Sequence, residues 1–193
     1  MAATVSIFVD KGATPTEVDV GSGGFRFRTD DSPDTVDNTS PIPIPNAGTK
    51  YSFWVHLFMK ITGGTPGTIN NVKFYTSGAA PLYGDAGVTL KVGDGNQTKN
   101  SGSTAGYDEP SGNGEVIGDT GVELTNHANV ASSTDGVTHT PASPRDVNIS
   151  EAGAVMDAAG ETTDYVILQL EVSTTATAGD TASETLTFRY DEV

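Results

Sequence analysis

The chain has 193 residues, with 25 acidic against 10 basic side chains, a formal charge of -15 and no cysteine. A surface this acidic repels phosphates and argues against direct nucleic-acid binding, and without thiols neither disulfides nor thiolate metal sites can form. Hydrophobic residues make up 35% of the chain, enough for one core, and no apolar run approaches the ~18 residues of a membrane-spanning helix.

The N-terminal MAATVSIFVDKG lacks the basic and cleavage-site regions of a secretory signal. A mature form is therefore expected, or a protein made in the cytoplasm and used there or in an assembly released by lysis. Period-two alternation recurs along the chain and helical periodicity is nearly absent, which predicts an all-β fold. TVSIFVD (4–10) reads as a first strand. TEVDV (16–20) and FRFRT (25–29), separated by a glycine-rich turn, read as a hairpin. Residues 30–49 are rich in Pro and Asp and predict an extended connection that crosses between sheets.

YSFWVHLFMKITGG (51–64) is the most apolar stretch. Tyr51, Phe53, Val55, Leu57, Met59 and Ile61 form one row; Ser52, Trp54, His56, Phe58 and Lys60 form the other. The second row carries more aromatic surface than a solvent face needs, so Trp54 and Phe58 are candidate interface residues. Their cover is either the chain's own loops or a neighbouring subunit. INNVKFYT (69–76) reads as the hairpin partner of this strand.

Residues 77–145 form a loop-rich excursion with short β candidates at 88–92, 114–117 and 122–125, and long ordered loops are more often functional than idle. SEAGAVMDAAGE (150–161), interrupted by glycine, allows a short turn at most. DYVILQLEVS and ETLTFRYDEV both alternate and read as a C-terminal hairpin. Together these elements predict a single domain over 1–193: an antiparallel β-sandwich, immunoglobulin-like or jelly-roll, with a long loop-rich insertion.

Residues for chemistry are sparse. His56, His127 and His139 have no zinc spacing, and no nucleophile elbow or phosphate-binding glycine loop occurs. A non-enzymatic protein is expected. Loop carboxylates suit calcium, which takes six to eight oxygen ligands; Asp30, Asp31, Asp34, Asp37 and Asp94 are the candidates, with solvated acidic loops as the alternative.

Three segments, IPIPNAGTKYSFWVHLFMKITGG, NVKFYTSG and DYVILQLEVSTTATAGDTASETLTFRYDEV, resemble structural proteins of tailed bacteriophages. In that group a proline-bearing lead-in precedes a YSxW strand, an IxNxKFY strand follows, and the chain closes on TxxYDE. The matching residues include Tyr51, Ser52, Trp54, Asn71, Lys73, Phe74, Tyr75, Tyr190, Asp191 and Glu192. The resemblance does not extend over the loop-rich middle.

The resemblance implies a virion component assembled in the host cytoplasm in many symmetric copies. The expected role is a capsid decoration or cement protein, a homo-oligomer with a trimer favoured, bound to the major capsid protein or other virion subunits through Trp54, Phe58 and the 77–145 excursion. The alternatives are a tail or baseplate protein, and a glycan-binding sandwich in which Trp54 and the tyrosines stack on sugars beside calcium.

Overall fold

The computed structural model describes residues 2–21, 23–32, 39–95, 97–112 and 123–193. Ten strands occur among them: β1 (Ala3–Lys11), β2 (Thr16–Asp19), β3 (Thr49–Tyr51), β4 (Val55–Gly64), β5 (Ile69–Tyr75), β6 (Val88–Gly93), β7 (Ser133–Asp135), β8 (Arg145–Asp146), β9 (Val166–Ser173) and β10 (Thr187–Glu192). They form an all-β, antiparallel sandwich. The larger sheet runs β2-β1-β4-β9-β6-β7, with β3 also paired to β9, and the smaller runs β10-β5-β8. Outer strands are short or charged: β2 is TEVD, β7 is STD, β8 is RD, and β10 carries Arg189, Asp191 and Glu192.

All three expected hairpins are replaced by other pairings. β2 pairs back onto β1, while residues 25–29 lie outside both sheets. β4 and β5 belong to opposite sheets, as do β9 and β10, and β5 pairs with β10 instead. The reason lies in the corners. After β4, Gly64 takes φ +85° where a Cβ would meet Ala2 O at 2.5 Å, and the chain turns to the other layer. There Glu192 Oε1 accepts from both Ala3 N (2.8 Å) and Gly67 N (3.1 Å), tying both ends of the chain to the corner. The polar 174–186 segment is longer than a tight hairpin loop and carries the chain across the sandwich.

The predicted 51–61 strand is broken. From Thr49 to Val55 the chain advances six residues while its partner β9 goes back five, from Ser173 to Leu168. This bulge reverses the alternation, because one extra residue moves later side chains to the opposite face. Tyr51 consequently pairs with Glu171 and, like Phe53, is absent from the buried core that begins at Val55.

Inner-face residues Val9, Leu57, Met59, Ile61, Leu90 and Leu168 meet Ile69, Val72 and Phe74 of the small sheet. A second core of Trp54, Phe58, Leu124, Val130, Tyr165 and Ile167 lies on the outer face. Its lid comes from the loop-rich excursion. Trp54 N donates to Ser111 O (3.0 Å), Tyr165 N to Gln97 O (2.9 Å), and Leu124 N to Gln169 Oε1 (2.7 Å). The excursion also contains β6, β7 and short 3-10 turns, one of which, Leu124–Asn126, takes the place of the described end of the strand expected at 122–125. The β candidate at 114–117 lies outside the described residues. Within 150–161 the 3-10 turn Ala152–Ala154 is followed by Met156, which bridges Ile69 and is fully buried.

Candidate functional site

Beneath this lid, strand register assembles a row of polar side chains. Asp10 on β1 is directly opposite Glu17 on β2 and His56 on β4, and all three side chains share the outer face. Lys99, from the lid, completes the group. Its Nζ lies 3.0 Å from Asp10 Oδ2 and 3.2 Å from Glu17 Oε1, with Phe58 and Tyr165 as aromatic walls 4.4 and 5.4 Å from the amine. The Tyr165 hydroxyl donates to Asp10 Oδ2 at 2.6 Å. The other Glu17 oxygen pairs with Lys60 at 2.5 Å. Lys99 and Asp10 side chains are only 4% and 1% exposed.

Lys99 is held from both ends. Its backbone N–H donates to Asp164 Oδ1 at 2.7 Å, and Tyr107 from the same lid donates its hydroxyl to Gly12 O at 2.6 Å. A charge pair in such a place is stable only when both partners are present, since truncating one leaves a bare buried charge.

Two histidines close the row. His127 Nδ1 accepts from Asn129 N at 3.0 Å, so neutral His127 carries its proton on Nε2 and donates to His56 Nε2 across 2.9 Å. Neutral His56 then carries its proton on Nδ1. That atom, like Asp10 Oδ1 on the residue directly opposite, has no hydrogen-bond partner among the described residues. Burial holds His56 well below its usual range, with the charges of His127 and Lys99 adding to the effect, and burial lowers His127 against the pull of Asp108. Burial and the Asp10 hydrogen bond push the Tyr165 hydroxyl up. In Glu17, burial is outweighed by the contacts with Lys60 and Lys99, and the carboxyl is lowered.

The interface assignment of Trp54 and Phe58 is corrected by this arrangement. Trp54 is 2% exposed and Phe58 fully buried, both under the chain's own lid. The calcium candidates among the described residues, Asp30, Asp31 and Asp94, do not form a common site. Asp30 is engaged through both oxygens by the Arg28 guanidinium (2.7 and 3.0 Å), and that contact holds its carboxyl well below the usual range. Burial pushes Asp31 up to about 6. Asp94 accepts from Ser132 Oγ at 3.0 Å in a separate loop. Asp34 and Asp37 lie outside the described residues. Among those described, no three metal-ligating side chains gather.

Lys99, Asp10, Glu17 and Tyr165 were not singled out from the sequence. Lys99 stands in a glycine-rich turn with no periodicity, and only the outward position of Asp10 on the first strand hinted at the row. A second feature lies on the inner face, where three strands cannot cover seven. A cleft of about 1220 Å³ opens there between Phe25, Phe27, Ile42, Ile44, Tyr83 and Leu186. Comparison with protein-family models, curated proteins and solved structures finds no match.

Proposed function

We propose that this chain is a non-enzymatic virion structural protein, a decoration subunit that binds a capsid shell as a homo-oligomer, with a trimer favoured. The observation that carries the reading is where the residues of the phage resemblance sit. Phe74 packs edge-on against Phe188, their centroids 5.5 Å apart, Asn71 donates to Asp191 at 2.8 Å, and Glu192 ties the N-terminus to the β4–β5 corner. Phe74, Phe188, Asn71 and Asp191 fasten β5 to β10 within the small sheet, and Glu192 ties that sheet to the first strand of the large one, as befits a protein whose role is to hold shape. At the centre of the polar row Asp10 and Lys99 are almost fully buried, while Glu17 at its edge meets solvent, an arrangement that does not favour a substrate site.

With Trp54 and Phe58 internal, contact with neighbouring subunits is assigned to the inner-face cleft. Ile44 is 37% exposed there, and the rim bears both Arg26 and Asp180, 3.5 Å apart. A rim of mixed sign suits a second copy of the same chain. The glycan reading loses its principal platform, because Trp54 is covered.

Sedimentation equilibrium from low to high salt tests this. The expected result is a mass of three 19.9 kDa chains, with association strengthening as salt screens the acidic surfaces. Ile44→Glu should yield monomers with unchanged thermal stability. A strict monomer at every salt concentration refutes the oligomeric decoration role, as does failure of the protein to co-sediment with capsid shells of the phage that encodes it.

A further inference from the structure

We infer that Lys99 and Asp10 are the two halves of an intramolecular isopeptide bond, formed after folding with Glu17 as the proton relay. The inference is independent of the virion reading and rests on the geometry of the polar row alone.

Four observations carry it. First, the amine is already in place: Nζ is 3.0 Å from Asp10 Oδ2, one carbon–oxygen bond from the carboxyl carbon it would attack, so the two groups are held as neighbours and need no diffusional encounter. Second, water is excluded, since both side chains are almost fully buried and Phe58 and Tyr165 wall the amine. Condensation, which releases water, is opposed by bulk water and favoured where water is scarce. Third, a second carboxylate stands beside both reactants. Glu17 is the cross-strand neighbour of Asp10 and lies 3.2 Å from Nζ. Fourth, the two Asp10 oxygens are in different surroundings: Oδ2 accepts from the Tyr165 hydroxyl at 2.6 Å, whereas Oδ1 has no partner among the described residues.

The reaction follows from these positions. Glu17 relays a proton from the Lys99 ammonium to Asp10 Oδ1, leaving a neutral amine beside a neutral carboxyl. The amine lone pair attacks Cγ, the Nζ–Cγ bond forms, and the negative charge that develops on Oδ2 is held by the Tyr165 hydroxyl. A second proton passes from Nζ to Oδ1, the carbonyl re-forms at Oδ2, and the Cγ–Oδ1 bond breaks. Of the three ammonium hydrogens, two leave with Oδ1 as water and one stays on the amide nitrogen. Ammonium and carboxylate become amide and water, with no oxidant or co-reactant. The product replaces two buried charges, each costly to keep from water, with one neutral amide.

Mass spectrometry of the denatured full-length protein, after the folded chain has stood at neutral pH, tests the bond. The expected mass is that of the sequence less one water, and proteolysis should release a branched peptide joining the segment around Asp10 to that around Lys99. The Asp94-Gly95 and Asp135-Gly136 pairs can also lose water by cyclising, so Lys99→Arg is the control. It keeps the positive charge against Asp10 and should restore the full mass. Glu17→Gln should fold and remain unlinked for much longer than the wild type. A folded wild type at its full sequence mass overturns the inference, and so does a water loss that persists in Lys99→Arg.

Discussion

Replacing Phe58 by alanine separates an internal second core from an exposed docking face. The ring is fully buried; it stacks on Phe8 with centroids 5.8 Å apart, meets Tyr165 edge-on at 5.8 Å, and lies 4.4 Å from the Lys99 amine. Loss of a buried phenylalanine ring costs about 3–5 kcal/mol through lost transfer energy and the cavity left behind. The desolvated cation–π contact adds up to about 2 kcal/mol. Working at about 4 kcal/mol, and at about 2–4 °C per kcal/mol for a domain of this length, the melting temperature should fall by about 8–16 °C. Urea unfolding followed by fluorescence and calorimetry of the variant measure both quantities. If Phe58 instead faced a partner, the monomer would keep its stability and lose association. A stability loss below about 1 kcal/mol together with weakened self-association would therefore refute the buried-core assignment.

The histidine pair predicts an acid-sensitive slope. Both folded-state values lie below the ordinary histidine value, so as pH falls below about 6.5 the unfolded chain takes up protons that the native chain refuses. Each histidine then removes up to about 1.4 kcal/mol of stability per pH unit. Asp31, held up to about 6, acts in the opposite sense over about pH 6 to 4, because the native state protonates first. Comparing His56→Gln with the wild type over pH 6.5–5.5 cancels the Asp31 contribution; the stability lost across that unit should shrink by about 1 kcal/mol, and an unchanged slope would exclude a neutral buried His56. Gly112→Ala should loosen the lid, since a Cβ there would lie 2.2 Å from Ser52 O and 2.4 Å from Phe53 N, both backbone atoms. A cost of about 1–3 kcal/mol is expected, with a red shift of emission from Trp54, the single tryptophan. Emission and stability identical to wild type would count against close docking of the lid.

The inner rows of β4 and β9 were legible because Val55, Leu57, Met59 and Ile61, and Val166, Leu168, Leu170 and Val172, alternate at the period of a strand with one face in a core. The break before Val55 was not. Tyr51 and Phe53 continue the same alternation of letters through a bulge that no glycine or proline marks, so side chains that look continuous point to opposite faces. Pairing was obscured for a related reason. Two alternating segments joined by a polar connection fit a hairpin and a crossing between sheets equally well, and the choice was made by distant groups such as Glu192. The polar row was hidden most fully. Asp10 and Lys99 are 89 residues apart, and only the fold of the lid brings them together.

The outer strands also constrain how copies can join. Chains with long, flat, apolar sheet borders add neighbours strand to strand, and nothing in that geometry stops growth. Here the borders end after a few residues or carry opposed and repelling charges, as in Glu17 and Asp19 of β2 and Asp191 and Glu192 of β10. Strand-to-strand growth into fibres is thereby disfavoured, and any contact between copies falls to the faces or loops.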